Sequence, residues 1–135
     1  MQAINLIFML ELAAIAYIDF KTFRIPLWAL VALGVLIVLR GHINAMDAIY
    51  GLSMMIGSMF IGDFIMKRET IGGGDIWLGT AMSTFMGFDR FLITYTVAAL
   101  LGMVAMMTVH RKFQSFDMAY APYLAVGAFV AMVIK

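Results

Sequence analysis

Two aspartates carry the chemistry that this sequence could perform. Asp75 follows an unbroken run of three glycines, Gly72-Gly73-Gly74, and heads an apolar stretch long enough to enter a bilayer. Asp19 closes the first apolar run and precedes the turn Arg24-Ile25-Pro26. A carboxylate beside lipid is costly, so it marks function by default. Two carboxyls held together in a poorly hydrated site cannot both ionise. They share a proton and titrate as a pair in two steps. The ionised member can take a proton from water while the protonated member gives one to a carbonyl. Hydrolysis of this kind needs no serine or cysteine nucleophile. The glycines remove every side chain before Asp75. They leave a backbone that can take φ > 0, admit a second strand at close range, or turn sharply into a helix.

The elements that must position these acids follow from composition. Of 135 residues, 64% are hydrophobic and 13% charged, and the mean hydropathy is +1.00. Soluble domains are nearer half apolar and a quarter charged, so this chain is expected to use the lipid bilayer as solvent. The net charge of +1 supplies no basic stripe for phosphates, which argues against nucleic acid. The absence of cysteine rules out disulfides, cysteine-bound zinc and thiol catalysis. The 14 methionines are scattered and read as flexible filler between helices. His42 and His110 fall in separate connections on opposite sides. No metal site and no cofactor is expected.

Spanning helices need about 20 apolar residues. The pattern predicts an all-α polytopic membrane protein of one domain with six transmembrane helices, over 4–18, 26–39, 46–66, 75–88, 91–109 and 118–134. Pro26 suits the first turn of the second helix, where its missing N–H is no loss. Ser53/Gly57 and Ser58/Gly62 are small pairs that would let the third helix approach a neighbour. Asp89-Arg90 reads as a tight turn. Lys21, Arg24, Lys67, Arg68, Arg111 and Lys112 all fall on the first, third and fifth connections, and Arg40, Arg90 and Lys135 on the other side. Positive residues mark the cytoplasm, so both termini are expected on the non-cytoplasmic side. Asp19 and Asp75 then share one depth at the cytoplasmic face, although composition alone did not require it.

With these residues in place, the chain resembles the type IV prepilin peptidases, a group of GxGD aspartic membrane proteases. Gly72-Gly73-Gly74-Asp75 fits the GxGD pattern, and Asp19 with Arg24-Ile25-Pro26 fits the first aspartate and its R-I-P-N turn. The run Ala119-Tyr120-Ala121-Pro122-Tyr123-Leu124-Ala125-Val126-Gly127 resembles the last helix of that family. The resemblance implies an aspartic endopeptidase of the bacterial inner membrane with Asp19 and Asp75 as catalytic pair. Gly72, Gly73, Gly74, Pro26 and Glu69 would support the loops. It implies a prepilin or pilin-like substrate with a short basic leader, cut just after a glycine, and pilus assembly machinery as a candidate partner. The short chain is similar to the peptidases of tight-adherence pilus systems. With no cysteine-bearing insertion, methyl transfer is not implied. Leu27 replaces the usual asparagine after the proline, and Trp77 a frequent lysine.

Other residues carry simpler expectations. Glu69 reads mainly as a solvated loop charge, and Asp63 either as a partner of Lys67 one turn on or as a third acid near the site. Glu11 interrupts the first helix and must be protonated, paired or turned to a polar interior. Trp28, Trp77, Tyr120 and Tyr123 read as interfacial anchors. Two rival functions remain: a proton- or ion-coupled transporter using Asp19, Asp63 and Asp75, which would spread its acids through the membrane depth, and a non-catalytic pilus assembly protein.

Overall fold

A computed structural model describes residues 2–41, 43–67, 71–109 and 119–134. Their regular structure is entirely helical: α1 (Gln2–Thr22), α2 (Leu27–Arg40), α3 (Ala45–Met66), α4 (Gly73–Met86), α5 (Phe88–Val109) and α6 (Ala121–Val133). Sequence chemistry sets the boundaries. Asn44 caps α3, its side chain accepting from the Met46 N–H at 3.1 Å. Gly41 ends α2 at φ 70°, and Gly87 divides α4 from α5 at φ 88°. Both angles lie where glycine has no steric penalty. Asp89 and Arg90 therefore do not form the turn; they lie in the first turn of α5, where an acid is favoured. Pro26 is the extended cap before α2 rather than part of its first turn.

Among the described residues, three helices are long and apolar enough to cross a membrane: Ala3–Thr22, Ala45–Ile65 and Phe88–Ala105. α2 and α6 are shorter apolar helices, and α4 has 14 residues. At 1.5 Å per residue such helices extend about 20 Å, less than the roughly 30 Å hydrocarbon layer. The outer surface is strongly apolar, with Phe64 86% and Leu27 76% exposed. Such a surface suits lipid rather than water.

The short α4 lies innermost, packed against α2, α3, α5 and α6, while α1 bridges α2 and α6. Its buried side chains Leu78, Met82 and Phe85 meet Phe8 and Leu12 of α1, Leu33 of α2, Met55 of α3, Phe91 of α5 and Leu124 of α6 in one core. Phe8 and Phe85 stack with ring centroids 3.8 Å apart. Close helix approach falls on Gly51, Gly79 and Gly127. A side chain on Gly51 would strike Ser83, one on Gly79 would strike Met55, and one on Gly127 would strike the Thr94 carbonyl, whereas Gly57 faces open space. Small-residue spacing alone does not say which face meets a neighbour.

Candidate active site

The site forms where α1 ends and α4 and α6 begin. α1 runs a turn beyond its expected end, so Asp19 lies inside the last turn rather than after it. Thr22 Oγ1 bonds back to the Ile18 carbonyl at 2.8 Å, and Phe23 then leaves the helix in the left-handed region at φ 53°. This extra turn points Asp19 inward, and its exposure is only 4%.

Ile25, in the connection that follows, reaches the start of α4. A Cβ on Gly74 would sit 3.2 Å from the Ile25 Cβ, a tight contact that favours a bare backbone at that crossing. None of the three glycines has a positive φ; Gly72 is extended at φ −71°, ψ 153°. Gly73 is exposed, and a side chain there would meet nothing within 4 Å. The triplet therefore serves close approach at Gly74 and leaves an open backbone at Gly73.

Gly72 caps α4 without a side chain, and Asp75 is the third residue of the helix. The Gly72 backbone hydrogen-bonds to the Asp75 carboxyl, the arrangement of the acidic half of a capping box. The other oxygen, Asp75 Oδ1, is buried and has no hydrogen-bond partner among the described residues. Asp19 Oδ2 accepts the Ala121 N–H of α6 at 3.1 Å. Each acid thus takes one backbone donor from a helix N-terminus, where such donors are otherwise orphaned. The two acids are close enough for the charge of Asp19 to act on Asp75.

Tyr120 forms the wall beside them. It caps α6, is hydrogen-bonded to Tyr95 of α5, and lies near enough to Asp75 to feel its charge. Burial pushes its phenol up, with Tyr95 and Asp75 adding to the effect, so it stays a neutral hydroxyl. Of the residues expected as interfacial anchors, Tyr120 thus also packs inward, while Trp28 and Trp77 are exposed at 64% and 62%. The Tyr95–Tyr120 pair and the Ala121 N–H had no signal in the sequence beyond the nearby Pro122. Pro26 lies in the same connection as Ile25, and Asp63 is half-buried in the last turn of α3. Glu69, His42, His110, Arg68, Arg111 and Lys112 lie outside the described residues. Among the described residues no three metal-ligating side chains gather.

The fold and site define a helical, membrane-type protein in which helix starts bring two acids together. A family model described as the type IV leader peptidase family matches residues 6–107, and the chain belongs to that family of proteases. The match includes both acids but stops before α6, whose first N–H binds one of them. No curated protein and no solved structure matches the chain.

Proposed function

We propose that this protein is an aspartic endopeptidase that removes the leader from pilin-like precursors at the cytoplasmic face of the inner membrane. Asp19 and Asp75 are its shared-proton pair. The observation that supports this reading best is the meeting of two acids from α1 and α4 with one oxygen, Asp75 Oδ1, buried and unpartnered among the described residues. In this reading all six helices cross the membrane, the short ones in a locally thinned layer, and both termini face outward.

The scissile strand lies over the open Gly72–Gly73 backbone. One ionised carboxyl removes a proton from water as its oxygen attacks the peptide carbonyl. The other carboxyl gives its proton to the carbonyl oxygen, forming a neutral diol. The diol collapses as the peptide nitrogen gains a proton, and the amine leaves. Because the cycle needs one proton on the pair, activity falls both where the two acids are protonated and where both are ionised.

The test is processing of a co-expressed pilin-like precursor by wild type, Asp19→Asn and Asp75→Asn. Each amide keeps the shape but cannot act as the anion. Loss of about 10³-fold or more in each is expected. Processing within about tenfold of wild type in either variant defeats the mechanism.

A further inference from the structure

We propose that the groove between α1 and α2 seats a membrane helix of another protein, one that carries a hydrogen-bond donor at mid-span, and that Glu11 anchors it. Glu11 stands halfway along α1, about two turns and roughly 12 Å from Asp19. It lines an outward-opening groove with Ile7, Leu10, Ala32, Val35 and Leu36. It is half-buried and has neither a hydrogen-bond nor a charged partner among the described residues. The acid pair at the end of α1 makes no use of it.

A carboxyl at mid-membrane depth is costly unless something pairs with it. Lipid tails offer no donor, and headgroups lie about 15 Å away. A second copy of this chain is also poorly suited, because the same groove would set Glu11 against Glu11, two acids that attract only while protonated. Its exposed hydroxyls near mid-span, Ser53 and Thr96, already donate to the Ile49 and Leu92 carbonyls at 2.7 and 2.8 Å. Its described basic residues, Lys21, Arg24, Arg40, Lys67 and Arg90, lie at or beyond helix ends. The complementary group is therefore a lysine, arginine, glutamine or asparagine near the centre of a foreign helix. Ala32 leaves room for such a helix to approach closely. This inference rests on the membrane setting and not on the role of Asp19 and Asp75.

The chain has no cysteine, so Val35→Cys introduces a single thiol on the groove wall. The probes are two synthetic leucine–alanine helices with one cysteine each, one with a central glutamine and the other with leucine there. Each is mixed with the full chain in phosphatidylcholine vesicles under mild oxidation. The glutamine helix is expected to cross-link about tenfold more. In the Glu11→Leu variant that preference disappears while the leucine helix cross-links as before, which shows the groove intact. Equal cross-linking of both helices to the original chain overturns the proposal. So does a glutamine preference that survives Glu11→Leu, or a dominant disulfide between two copies of this chain.

Discussion

Asp47 and Asp75 hold the same position in different helices, each the third residue after a cap. At the far end, Asp47 joins helices. Its Oδ1 accepts the Phe88 N–H at 3.3 Å, and its carbonyl accepts the Ser83 hydroxyl at 2.7 Å. It ties α3 to the end of α4 and the start of α5. Asp75 also bonds back to its cap, but it faces a second acid and keeps one buried oxygen unpartnered among the described residues. An acid near a helix start is thus not a functional signal in itself. The separating feature is hydrogen-bonding capacity left unused in a buried place, which folding alone would tend to fill or remove.

The largest expected difference lies between these two residues. Asp75→Asn should reduce precursor processing by about 10³-fold or more, whereas Asp47→Asn should stay within about threefold of wild type. Equal losses, read by gel shift of the precursor, would erase the distinction. The glycines sharpen it next. Gly74→Val drives methyl groups into Ile25 and should slow processing about tenfold, with a fall in melting temperature, as overpacking at a tight contact does. Gly73→Ala enters open space, so the melting temperature should hold while the KM for precursor rises if the substrate strand lies there as proposed.

The far end should respond in the opposite way. Asp47→Ala leaves the Phe88 N–H without its acceptor and should cost about 1–2 kcal/mol of stability with processing retained at permissive temperature. Denaturation in detergent reads the first quantity and the gel assay the second. The smallest effect belongs to Tyr120→Phe. It removes the hydroxyl between Tyr95 and Asp75 and should lower processing about threefold with little change in fold.

Much of this arrangement was legible in the sequence. Counting helices between residues 19 and 75 put both at one end, and glycine before Asp75 flagged a bare backbone. What escaped reading depends on contacts between distant segments. The triplet could have served φ > 0 or close approach, and only the position of Ile25 decides for the latter. Asp89 beside Arg90 looked like a break because charge interrupts an apolar run, yet an acid also suits the first turn of a helix. The Ala121 N–H is a backbone group with no residue signature, so its bond to Asp19 could not be read. Tyr120 has the composition of a membrane-interface residue, and only the neighbouring Tyr95 shows that it faces inward.

The central claim is that residues 19 and 75 work as one unit, and a double-mutant cycle on single-turnover processing measures this most directly. Asp19→Asn, Asp75→Asn and the combined variant are compared with wild type. If the acids share one proton, the double variant is no slower than either single variant, because either loss already disables the pair. If the two losses multiply, the residues act independently, and the shared-proton account is wrong.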